Sequence, residues 1–91
     1  MIVEIDLTDI VQTNSKDEIF NFISAGFGEI GQQDLQVKTI ICNPNDKIML
    51  VEINRYTHCQ ENLTADPSNF WGATYYCDEN IEPLHIKLVS N

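Results

Sequence analysis

The chain opens on an alternation in which Val3, Ile5 and Leu7 are separated by Glu4 and Asp6. A period of two is that of a strand with one buried and one wet face, so a first strand is predicted over residues 2–7. After a polar loop to Asn14, Ser15 is followed three residues later by Glu18. That is the spacing of a capping box, and acidic Asp17 and Glu18 suit the positive end of a helix. Ile19, Phe20, Phe22, Ile23 and Phe27 then recur at helical spacing, and Gly26, Gly28 and Gly31 mark the region where this helix is expected to fray and stop.

Strand character returns at Leu35. Leu35, Val37, Thr39 and Ile41 fall on one side, with Gln36, Lys38, Ile40 and Cys42 on the other. Asn43-Pro44-Asn45-Asp46 has the composition of a tight turn. The nearly continuous apolar run that follows predicts a returning, centrally placed strand over Lys47 to Tyr56. Residues 57–69 are polar and read as a loop, Phe70–Cys77 as a strand and His85–Val89 as a final strand. The expected fold class is α+β, a small antiparallel or mixed sheet of about five strands with one helix packed on a face, in the order β-α-β-β-β-β.

Ninety-one residues, 43% of them hydrophobic, match one domain over 1–91 with a real core. No apolar run is long enough to span a bilayer, and the first residues carry acids where a signal peptide carries Lys or Arg. A soluble, unexported, cytoplasmic protein is expected, in which the Asn62-Leu63-Thr64 sequon stays idle. Cys42, Cys59 and Cys77 are odd in number and widely spaced, so they predict neither a disulfide framework nor a CxxC clip. A metal set drawn from these with His58 and His85 lacks the paired spacing of structural zinc sites, and the expectation is no metal and no cofactor.

The enzyme classes with recognisable motifs are missing: no P-loop, no GxGxxG after a strand, no HExxH and no GxSxG. The three glycines follow a helix instead of opening one, which reverses the geometry of a phosphate cradle. Trp71, Tyr75 and Tyr76 sit beside Asp78, Glu79 and Glu82, not in the basic groove of a single-strand binder. No enzyme and no direct nucleic-acid binding are expected.

Charge carries the functional expectation. Fourteen Asp and Glu stand against five Lys and Arg, a formal net charge of −9. Such a surface repels nucleic acid and anionic membranes and attracts cationic partners. On a strand, Glu4 and Asp6 present carboxylates about 7 Å apart, comparable with successive phosphates. At one charge per ~1.7 Å, fourteen carboxylates correspond to ~24 Å of duplex. The acids chosen as a partner-binding face are Glu4, Asp6, Asp9, Glu52, Asp78, Glu79 and Glu82. A solvated acidic surface without a partner is the plainer alternative.

The acidic balance, the opening MIVEIDLTDIV, the helix SKDEIFNFI and the strand-rich remainder together resemble the Arn anti-restriction proteins of T-even bacteriophages. The resemblance is one of the whole chain and transfers no site residues. It implies a homodimeric DNA mimic that occupies the DNA-binding surface of a host restriction nuclease. The competing expectation is an immunity-type protein that plugs the active site of a basic toxin or nuclease through an anchor such as Trp71 or Tyr75.

Overall fold

The structure, a computed structural model, describes residues 1–13, 16–58 and 69–90. Strand β1 (Ile2–Asp6) leads into helix α1 (Thr8–Thr13) and helix α2 (Lys16–Gly31). Strand β2 (Val37–Cys42) is followed by a 3₁₀ turn (Pro44–Asp46) and helix α3 (Lys47–His58). Strands β3 (Asn69–Phe70), β4 (Ala73–Cys77) and β5 (His85–Ser90) complete the chain. The five strands form one mixed sheet in the order β1-β5-β2-β4-β3. β5 runs antiparallel to both β1 and β2, β2 and β4 are parallel, and β3 and β4 are antiparallel. The α+β class with a five-strand mixed sheet is therefore as the sequence predicts.

The segment Lys47–Tyr56, expected as a returning strand, is helical. Asn43 is extended and its side chain accepts the Asn45 N–H at 3.0 Å, with Pro44 at the first turn position. Asn before Pro is as good a helix start as a hairpin turn. A short apolar run does not separate helix from strand by itself. Here Leu50, Ile53 and Asn54 share the buried face, the spacing of one helical stripe. The parallel pairing of β2 with β4 requires a crossover, and α3 supplies it.

Other expectations are corrected. Residues 8–13 are helical, not a polar loop: the Asp6 carboxylate accepts the Thr8 N–H at 2.9 Å and so starts α1. The described residues thus hold three α-helices where one was expected. α2 runs through Gly26 and Gly28 and ends at Gly31. At Gly26 an added Cβ would lie 2.8 Å from Ile5 Cδ1 and Leu88 Cδ1, so this glycine lets the helix press onto the sheet. Phe70–Cys77 is a hairpin, not one strand: Trp71 and Gly72 both have positive φ, 51° and 83°, between the paired Phe70 and Ala73. The alternation over 35–42 breaks at a register shift between Val37 and Thr39, which leaves Val37, Ile40 and Cys42 all buried. The Ser15 cap, the sequon and most of the 57–69 loop lie outside the described residues.

The core is a sandwich between the helices and one sheet face. Ile19, Ile23 and Ile30 of α2 and Leu50 and Ile53 of α3 meet Ile5, Ile40, Phe70, Ile86 and Leu88. Phe20 and Phe27 of α2 stack edge-on against Trp71, with centroids 5.0 and 5.5 Å away. Among the described residues no helix covers the other sheet face, which carries Glu4, Asp6, His85, Lys87, Ile41 and Tyr76. No helix among the described residues is long and apolar enough to cross a membrane.

Candidate functional site

The strand directions decide where the acids gather. Asp6, at the end of β1, pairs with His85 at the start of β5; Cys42, at the end of β2, pairs with Ile86 and with Cys77 at the end of β4. The ends of β1, β2 and β4 thus coincide with the start of β5. Asp6, the α1 residue Asp9 and the 78–84 connection with Asp78, Glu79 and Glu82 all belong to this end of the sheet.

The connection is held in place by buried polar groups. Asp46 is 6% exposed, and its carboxylate accepts the Leu84 N–H at 2.7 Å. Asn43 donates its amide to the Ile81 carbonyl at 2.9 Å, while the Asp78 N–H bonds the Cys42 carbonyl. Asp78 closes a local turn by accepting the Asn80 N–H at 2.9 Å. A fixed backbone of this kind positions exposed Glu79 and Glu82 without ordering their side chains.

His85 is the centre of the charge cluster. Its ring lies 3.5 Å from Asp6 and 3.8 Å from Glu82. The bond from its Nδ1 to the Pro83 carbonyl, followed by the charges of Asp6, Glu82 and Glu4, raises its pKa above the ordinary histidine value. The Thr8 bonds, with a smaller contribution from His85, hold the Asp6 carboxyl below the usual carboxylate range. Lys87 stands 3.5 Å from Glu4 across the β1–β5 pair. The two β1 carboxylates therefore face cations on the neighbouring strand, although their side chains remain 72% and 63% exposed. Pairs this exposed contribute about 0–1 kcal/mol and leave the outer carboxylate lone pairs open to a partner.

Of the seven acids expected to form a face, the structure brings Glu4, Asp6 and Glu82 together around His85 and Lys87. Asp78, Glu79 and Asp9 follow at the same end. Glu52 does not join them: it is exposed on α3, in the helical layer on the other side of the sheet. Asp46, which was not selected from the sequence, turns out to anchor the acidic connection. Its position between a helix start and an apolar run was the available signal.

Two cysteines separated by 35 positions also meet, since Cys42 and Cys77 are register partners on parallel strands. Burial, and then the Cys77 thiol, push Cys42 up to about 12, which makes it a poor nucleophile and a poor ligand at neutral pH. Among the described residues no group of three or more His, Cys, Asp and Glu is arranged to hold a metal ion. Comparison with protein-family models, curated proteins and solved structures gives no match for this chain.

Proposed function

We propose that the protein is an acidic DNA mimic that occupies the DNA-binding surface of a basic protein, a host restriction nuclease being the target the sequence resemblance implies. The observation that carries this reading is the convergence of Asp6, Asp9, Asp78, Glu79 and Glu82 at one end of a rigid sheet. Over its 31 Å long dimension, a duplex would carry ~18 phosphates, against a formal net charge of −9 here. Half the charge density of DNA suffices for competition when the partner's channel is already cationic.

The plug alternative requires an aromatic anchor ringed by acids. Trp71 sits in the turn before β4, with the five residues of that strand between it and the acidic connection, and packs on Phe20 and Phe27. Tyr75 is half-buried with its ring near Lys47. Among the described residues, the acids of the 78–84 connection lie at the opposite end of β4 from Trp71. Phe70 and Ala73 of the β3–β4 hairpin are in the core and so are withdrawn from any homodimer interface. Tyr76, on the open sheet face, is exposed and available to a homodimer, as are Ile2, Phe22 and Ile48 elsewhere on the surface.

The test is displacement of labelled duplex from a modification-dependent restriction nuclease as salt is raised. Inhibition should weaken with salt, with a shallower log–log slope than DNA itself. Asp78→Asn, Glu79→Gln and Glu82→Gln should each cost severalfold at most and should accumulate when combined. Inhibition indifferent to salt and to the triple neutralisation would refute the mimic.

A further inference from the structure

β1 is the outermost strand on its side of the sheet. The bonds Ser90 N–H to Met1 O at 3.0 Å and Leu7 N–H to Leu84 O at 2.7 Å fix which of its residues bond β5. Bonded and non-bonded residues alternate along an antiparallel pair. Val3 and Ile5 therefore turn their N–H and C=O groups toward β5, while Ile2, Glu4 and Asp6 turn theirs to the free edge. Among the described residues no strand pairs with this edge.

Beside the edge runs a groove of about 400 Å³ between β1 and α2, lined by β1 from Val3 to Asp6 and by Phe22, Ala25, Gly26 and Glu29 of α2. Phe22 is 46% exposed there. The edge thus offers three things at once: unpaired backbone groups, an apolar trough on the helix side and two carboxylates on the open side. A row of this kind is a template for another strand.

We propose that this edge docks an extended cationic segment of the partner protein, which adds to the sheet alongside β1. The proposal rests on the acidic-inhibitor reading above and specifies how part of the partner is held. Residues opposite Glu4 and Asp6 would share their face, with Cβ atoms about 5 Å away, so Lys or Arg fits there. The intervening residues point toward Phe22 and Ala25 and are apolar. The recognised pattern is an alternation of cationic and apolar residues. A second copy of this chain fits poorly: the antiparallel register that overlaps all of β1, with Ile2 opposite Asp6, sets Glu4 against Glu4.

The experiment uses the whole protein and a capped peptide, Lys-Val-Lys-Val-Lys, followed by calorimetry and by amide shifts in heteronuclear NMR. N-methylation of the lysines removes the donors that face β1, whereas N-methylation of the valines removes donors that face solvent; charge and apolar content are the same. Lysine methylation should weaken binding about tenfold more than valine methylation. The amides of Ile2, Glu4 and Asp6 should shift on binding. On the protein side, Glu4→Pro removes an outward N–H at an edge, where proline is tolerated. It should bind the peptide about fivefold more weakly than Glu4→Gln, which loses only the charge. Equal affinities for the two methylated peptides, or no measurable binding of the parent peptide, would overturn the docking proposal. Since the peptide variants leave the protein untouched, a misfolded Glu4→Pro does not blunt the result. DNA displacement from the nuclease that persists without peptide binding removes the edge and keeps the mimic; peptide binding without displacement does the reverse.

Discussion

Gly26 and Gly28 are two residues apart on the same helix, and the same substitution at the two positions should move stability in opposite directions. Alanine is better than glycine in a helix interior by about 1 kcal/mol, from the backbone entropy glycine loses on folding. At Gly28 an added Cβ meets nothing within 4 Å. Gly28→Ala should therefore stabilise by about 0.5–1 kcal/mol. At Gly26 the added carbon would stand 2.8 Å from Ile5 Cδ1 and from Leu88 Cδ1. Carbon atoms rest at about 3.5–4 Å, so both methyls must withdraw by about 1 Å. Ile5 and Leu88 are 6% and 0% exposed, and overpacking of such a core costs about 1–3 kcal/mol. Against the propensity gain, Gly26→Ala should be neutral to about 2 kcal/mol destabilising.

Urea unfolding followed by circular dichroism measures both, provided the slope with denaturant is unchanged. The two variants should differ by about 1–3 kcal/mol, and by about 4–8 °C in Tm for each kcal/mol. Ile5→Val deletes one of the clashing methyls and alone costs about 0.5–1.5 kcal/mol. Combined with Gly26→Ala it should cost less than the sum of the two. If both alanines stabilise equally, α2 does not press on the sheet at Gly26 and the packing argument is wrong.

Two further predictions concern the acidic end. Asp46→Ala leaves the half-buried Leu84 N–H without its acceptor and should destabilise by about 1–3 kcal/mol in the same unfolding assay; an unchanged midpoint would mean that the 78–84 connection is held by other bonds. The His85 ring should titrate above the ordinary histidine value in an NMR pH series, and Asp6→Asn should lower its midpoint. Because the folded pKa is raised, its stabilisation is fully present below pH ~6.5 and is lost as pH rises through the folded pKa. A midpoint at or below that of an unstructured peptide refutes the cluster. Protonation also subtracts from the acidic surface, so binding of a cationic partner should weaken as pH falls through the same range.

The strand pattern of β1 and β5 was legible because each has one face on the core and one open, so period two survives in the sequence: Ile86 and Leu88 are inside with Lys87 between them. α2 was legible for the corresponding reason at period 3.6. The failures have separate causes. Lys47–His58 is apolar enough to suit either element, and only the tertiary demand for a crossover between parallel strands selects the helix. The register shift in β2 needs its partner strand to exist before it has meaning. The cap on α1 was hidden because Asp6 belongs to the strand by pattern and to the helix by its hydrogen bond.

The placement of the acids has a directional cause. Whether the segment after Asp46 is a strand or a helix, it carries the chain back to the far end of the sheet, so the strand that follows again ends beside β2. The acids after Cys77 arrive near those after Asp6 in either case. What depends on the element type is the face a residue occupies along the returning segment. Glu52 is the one selected acid on that segment, and it is the one the structure removes to the helical layer. An acid placed at a strand end inherits its location from the topology of the whole chain, whereas an acid within an element inherits it from local periodicity. In this chain the gathering of Asp6, Asp78 and Glu79 at the strand ends does not depend on whether residues 47–56 form a strand or a helix, whereas the face that Glu52 occupies does.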